Sequence, residues 1–423
     1  MPIKEDLLHY IWRIKSFNLK NLCTTDGEAL NIISFGNYNH SDGPDFLEAQ
    51  IELSGTKWIG SIEMHVKSSD WNIHGHSSDS NYQNTILHVV YKEDKEIKRK
   101  NGTKIPCLVL KGRMNTGIIQ LYQKFDSALW IPCESLIDQS SELSQTLAKE
   151  RALSDRLEKR WKGVNISNNL TNNNWEETAY RLICRSFGLV HNADAFLQIA
   201  MNIPYSILKK NSNNLESLEA IYMGTAGLLT SDLEDEYSQR IKNDYQFYRK
   251  KYDIQKIDIP LKHKAVRPHN FPEVALSQFI NLMSKPRIFS QLLEADIQGI
   301  GKLLKVKASP YWDNHYTFDK ISNTKIKTLG KSKMRVIIIN AIVPMLYFMS
   351  KKTGDDNWSK KALDLLEQIP AEKNNIISRW KSLNIRSNSA YDTQALLELK
   401  KHHCKKKKCL SCPIGHNILK PNG

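Results

Sequence analysis

The sequence predicts an α+β protein with a mixed-sheet core at the N-terminus, a mostly helical region after it and a cysteine cluster at the C-terminus. Three patterns carry that expectation. Apolar residues alternate with period two between Phe46 and Lys67, they recur near every 3.6 residues from about Gln145 onward, and three of the seven cysteines fall between 404 and 412. The expected divisions are 1–120, 121–398 and 399–423.

In the first division, Met1 to Lys20 places Ile3, Leu7, Leu8, Ile11, Trp12 and Ile14 among charged residues, the pattern of an amphipathic helix and not of a secretory leader. A cytoplasmic protein is expected. A strand follows near 29–35. Leu47, Ala49, Ile51 and Leu53 alternate with Phe46, Glu48, Gln50 and Glu52, and 58–67 alternates in the same way, with Ser54-Gly55-Thr56-Lys57 as the turn of a hairpin. Pairing Leu53 with Trp58 makes both apolar faces coincide and sets Glu48 opposite Glu63 and Phe46 opposite His65. Further strands are expected at 85–91 and 105–110, joined by a charged, solvated hairpin turn that ends in Asn101-Gly102.

Glu63, His65 and Lys67 share one face of the second hairpin strand, and Asp45 opens the first. Two carboxylates side by side repel unless a cation separates them, which points to a hard divalent ion. Asp45, Glu48 and Glu63 are the expected ligands of Mg²⁺ or Mn²⁺, His65 the group that assists the attacking water, and Lys67 the cation that stabilises charge at phosphorus. His74 and His76 are expected near the substrate phosphate, with Asp79, Tyr82 or Asn84 orienting them. The same stretch admits a zinc site drawn from His74, His76, Asp79 and His88.

Pro44-Asp45 followed by Glu63 resembles the PD-(D/E)XK nuclease core, in which an Asp after Pro opens one strand and an acidic-x-Lys triplet ends the next. His65 stands at the lysine position of that triplet, and Lys67 follows two residues later. The longer string Asp42-Gly43-Pro44-Asp45-Phe46, with Glu63, His65, 67–71, His74-Gly75-His76 and 86–91, resembles an uncharacterised bacterial family known only as a domain of unknown function. The PD-(D/E)XK resemblance implies a nuclease-like fold acting on DNA or RNA as a metal-dependent phosphodiester hydrolase; the resemblance to the uncharacterised family implies the fold family and brings no established activity. With the lysine displaced, the alternative is a catalytically inactive nucleic-acid-binding protein on the same scaffold. A structural or regulatory metal protein is the third expectation.

The helical division is read at 145–161, 175–187, 194–202, 215–229, 233–252, 271–284, 334–350, 358–368 and 391–403. Its most apolar stretch, 335–350, is shorter than a bilayer span and holds Asn340 and Pro344, so a buried, kinked core helix is expected and no membrane. Sixty Lys and Arg against forty-five Asp and Glu give a formal charge of +15, which favours polyanionic partners, here nucleic acid. Arg267, in the basic loop 262–272, is a candidate phosphate contact. Arg151, Arg156 and Arg160 form a second basic stripe.

Cys404, Cys409 and Cys412 sit in the tail with Lys405 to Lys408 between the first two. Clustered cysteines without a leader point to metal, and three thiolates need a fourth ligand. His416 completes a zinc site, with His402 or His403 as substitutes, and the C-x4-C-x2-C spacing also admits an iron–sulfur cluster that uses Cys184. Cys23, Cys107 and Cys133 are read with Cys184 as buried thiols in apolar surroundings.

Overall fold

The computed structural model describes residues 3–125, 128–264 and 266–420; Met1 and Pro2 of the expected first helix, Ala265 of the basic loop and positions 421–423 of the tail lie outside them. The chain forms two compact units, 1–148 together with 400–423, and 149–399.

The first unit is built on a sheet. Helix α1 (Glu5–Arg13) buries Leu7, Leu8, Ile11 and Trp12, as its amphipathic pattern requires. Five strands follow: β1 (Leu30–Ser34), β2 (Asn37–Tyr38), β3 (Phe46–Leu53), β4 (Thr56–Lys67) and, after the short helix α2 (Asp70–Ile73), β5 (Thr85–Lys92). The last strand is β6 (Cys107–Val109), and the sheet order is β1-β3-β4-β5-β6, with β2 paired to β3. β1, β3 and β4 are antiparallel; β4, β5 and β6 are parallel. The α+β expectation therefore holds, with a mixed sheet first and mostly helix afterwards.

Two expected pairings differ. The β3–β4 turn is two residues, Ser54 and Gly55, both at positive φ, so Leu53 faces Thr56 and Ile51 faces Trp58. That geometry follows the right-handed twist of the flanking strands and suits Gly at its second position. A bulge then interrupts β3: Phe46 pairs with Ile62, Ala49 with Gly60, and Glu48 takes φ +57°. The extra residue reverses parity, which turns Leu47 out and Phe46 in. Glu48 is consequently not opposite Glu63. The second difference is the 92–104 segment, which makes only a local hairpin closed by a Lys98–Lys104 bridge before β6 enters parallel to β5.

The second unit packs helices around one large apolar core. Asn174 accepts from the Glu177 amide and starts the helix Trp175–Phe187 as its sequence indicates. Arg156 lies 3.7 Å from the buried Glu398, and Arg160 donates to Asn340 at 2.9 Å, so these arginines of the expected basic stripe serve the unit's interior. One helix among the described residues, 331–353, is long and apolar enough to cross a membrane, and most of it is buried inside the unit. A π-helical turn at Ile338–Ile342 precedes Pro344 and absorbs the amide that proline lacks.

Candidate metal centre

Strand β4 is covered on both faces from Gly60 to His65, which leaves Glu63 only 4% exposed and His65 fully buried. The bulge in β3 lets the chain before it run beside residues 63 and 64. Asp45 donates its amide to Glu63 Oε2 at 3.1 Å, and its Oδ2 accepts from the Met64 amide at 2.9 Å. Asp45 and Glu63 are therefore neighbours, as two acidic ligands of one ion must be. Burial and then the Asp45 charge push the Glu63 carboxyl up to about 9. Without a cation, Glu63 keeps its proton at neutral pH.

Histidines surround this pair. His76 Nε2 lies 3.1 Å and His65 Nε2 3.6 Å from Glu63 Oε1. His9, on α1, brings Nε2 to 3.1 Å from Asp45 Oδ2. Burial opposes a charge on His9, but the Asp45 contact together with the Glu5 and Asp6 charges outweighs it and raises the His9 pKa. Glu5, one turn earlier on the same helix, forms with His9 and Asp45 a set whose ligand atoms lie within 4.8 Å of one another, and His65, His74 and His76 form a second such set. His76 stacks on Tyr82 at 3.8 Å, and Trp71 packs against His76 at 5.3 Å between centroids. That aromatic wall fixes the imidazole.

Behind the carboxylates, His65 Nδ1 is 2.8 Å from His88 Nε2, and His65 Nε2 is 3.1 Å from His74 Nδ1. Burial, then the neighbouring histidines, holds His65 down to about 2 and His88 to about 3, so both rings are neutral. His88 Nδ1 is buried without a partner. An unmet acceptor costs less here than an unmet donor, which assigns the proton to His88 Nε2 and, in sequence, to His65 Nε2. His65 then donates to His74, and the exposed His74 is the ring of this chain that meets solvent.

The donor set fits a divalent ion. His76 Nε2 is buried and faces Glu63 Oε1 at 3.1 Å without the alignment of a hydrogen bond. A cation between them would engage both nitrogen and oxygen. Mixed imidazole and carboxylate donors suit Mn²⁺ better than Mg²⁺, which prefers oxygen alone.

Other expected site residues lie elsewhere. Lys67 is exposed at the end of β4, beside Lys92, and its amide donates to Asp70 Oδ2 at 2.9 Å; no hydrogen bond or ion pair joins its ammonium to Asp45 or Glu63. Glu48 is exposed on the bulge and accepts from Asn37 Nδ2 at 2.9 Å. Asp79 accepts from the Asn81 amide and caps a 3-10 turn. Arg267 belongs to the second unit, where with His269, Lys325, Lys327 and Lys333 it lines an open cavity of about 590 Å³. In the tail, His416 Nδ1 is 3.0 Å from the Tyr10 hydroxyl. His9 and Glu5 escaped the sequence reading because their helical face was counted only for its apolar positions.

Comparison with curated proteins and with solved structures finds no match. Residues 5–375 do fit the model of a family described as a protein of unknown function (DUF2851), and the chain belongs to that family.

Proposed function

We propose that the protein is a metal-dependent phosphodiester hydrolase acting on DNA or RNA, with its centre at Asp45 and Glu63. The observation that carries this reading is the pairing of those two carboxylates, one from the segment after Pro44 and one from β4, inside a ring of imidazoles. The PD-(D/E)XK resemblance calls for the same two acids on neighbouring strands. Asp45, Glu63 and His76 would hold Mn²⁺, or Mg²⁺ less tightly; when bound, that ion would polarise a phosphoryl oxygen and acidify a water.

The chain's own groups divide the remaining work. His9, whose raised pKa favours the imidazolium, supplies the cation that Lys67 was expected to supply. His74 reaches solvent, and because its Nδ1 accepts from His65 its Nε2–H faces outward as a donor that would hold a phosphoryl oxygen, while His65 behind it fixes the ring and its tautomer. The net charge of +15 supports a polyanionic substrate.

The displaced Lys67 favours a second reading, binding of nucleic acid without turnover. One experiment separates the two. Purified protein is incubated with end-labelled single- and double-stranded DNA and RNA and with Mn²⁺, Mg²⁺ or a chelator. The hydrolase reading expects metal-dependent cleavage that Glu63→Gln and Asp45→Asn abolish while binding persists. Salt-sensitive binding with no cleavage under any metal would replace it with the second reading.

A further inference from the structure

The thiols of the first unit carry an inference independent of the hydrolytic site. Cys404 ends a π-helical turn (Leu399–Cys404), Cys409 opens a 3-10 turn (Cys409–Ser411), and Cys412 precedes the helix Pro413–Leu419. Cys133, distant in sequence and expected to be an isolated buried thiol, lines the same small cavity as these three, along with His403 and Gly415. None of the four is in a disulfide.

The backbone around the cavity is built for this approach. Cys412 donates its amide to the Cys409 carbonyl at 3.1 Å, and Lys407 donates to the Cys404 carbonyl at 3.0 Å. Lys400 donates to the Trp130 carbonyl and lies 4.7 Å over the Trp130 ring, which holds the segment leading to Cys133 against the tail. A Cβ at Gly415 would sit 2.1 Å from the Cys409 carbonyl oxygen, so only glycine lets the last helix come this near the cysteine loop. His416, the fourth ligand expected from sequence, turns its Nδ1 to Tyr10 instead.

We propose that Cys133, Cys404, Cys409 and Cys412 are the ligands of an iron–sulfur cluster that pins the tail to the first unit. The C-x4-C-x2-C spacing of Cys404, Cys409 and Cys412, with a fourth cysteine far along the chain lining the same cavity, is the arrangement of a four-cysteine iron–sulfur site. Lys400 and Lys405 to Lys408 offset the negative charge that four thiolates bring. Each iron–sulfur bond made at a thiol releases a proton to solvent, so the cluster is held more tightly as pH rises.

The test uses the full chain purified without oxygen, assayed for iron, acid-labile sulfide and zinc, with spin resonance after reduction. The expected result is about two to four iron per chain with equal sulfide, the range of four-cysteine clusters. Cys133→Ser and Cys412→Ser should each lose most of both, and Cys23→Ser, an exposed thiol outside the cavity, should lose neither. Zinc without sulfide would overturn the cluster. Full iron in Cys133→Ser, with loss in His403→Ala, would overturn the fourth ligand. Should Cys133→Ser fail to fold, pulsed spin resonance on the reduced wild-type protein decides: a strongly coupled nitrogen overturns all-cysteine ligation, and its lack supports it.

Discussion

The imidazole and carboxylate centre and the thiol ring occupy the same unit, yet they are held in opposite ways. Glu63 and His65 ride on a strand that is hydrogen-bonded on both sides, so the sheet places them whether or not an ion is present. The thiols ride on a π-turn, a 3-10 turn and a loop, whose backbone bonds are local ones between near neighbours, so on the proposed reading the bound cluster would add the long-range tie. The difference teaches that loss of metal should silence the first site while leaving its architecture standing, and should loosen the second.

The largest expected effect tests that separation. Glu63→Gln should lower Mn²⁺-dependent cleavage by about a hundredfold or more, as loss of a metal ligand in a hydrolase does, with the iron content of the tail unchanged. Its metal-free stability should move by less than about 1 kcal/mol, because the carboxyl it replaces is already protonated at pH 7. Parallel loss of iron would show the two sites to be coupled.

Acid should act next, and on the strand-borne site. His65 and His88 have folded pKa values of about 2 and about 3, below the ordinary value near 6.5, so the unfolded chain takes up protons that the folded chain refuses. Stability is thus full above about pH 6.5 and falls as pH drops from there toward 3. Between pH 7 and 5 each ring should cost up to about 2 kcal/mol, read from urea midpoints. Substituting His88→Phe should flatten this limb. An unchanged slope would mean that the pair is not buried neutral.

A smaller contrast lies between His9 and Lys67. His9→Ala should slow cleavage by about tenfold or more and Lys67→Ala by less than about threefold, since only the imidazole reaches the acids. The reverse order would return the lysine to the site and oblige β4 to rearrange on binding substrate. Smallest of all, Glu48→Ala should shift the melting midpoint by an amount equivalent to under about 1 kcal/mol, because it removes one exposed hydrogen bond to Asn37.

What could be read in advance follows from the range of each signal. Alternation exposed the 46–67 hairpin, and amphipathic spacing exposed α1 and most of the long helices, because those patterns are local. The pairing register was out of reach: a period-two pattern cannot register one extra residue at Glu48, and both a two- and a four-residue turn fit Ser54 to Lys57. The parallel entry of β6 was hidden for the same reason, since Asn101-Gly102 does make a hairpin, only a shorter one. Asp45 and Glu63 were legible as a pair, and they are neighbours, while His9 and Cys133 were not singled out. Each is brought to its partners by tertiary packing from far along the chain, and nothing in its own neighbourhood marks it.

The first unit is made from both ends of the chain, and that arrangement sets an order of events in the cell. Residues 400–423 leave the ribosome after the whole of 149–399, so the portion translated first is the last to be finished. The first unit stays incomplete until residues 400–423 emerge. A ribosome stalled anywhere before Cys404 would hold a nascent protein whose mixed sheet lacks the segment that completes its unit.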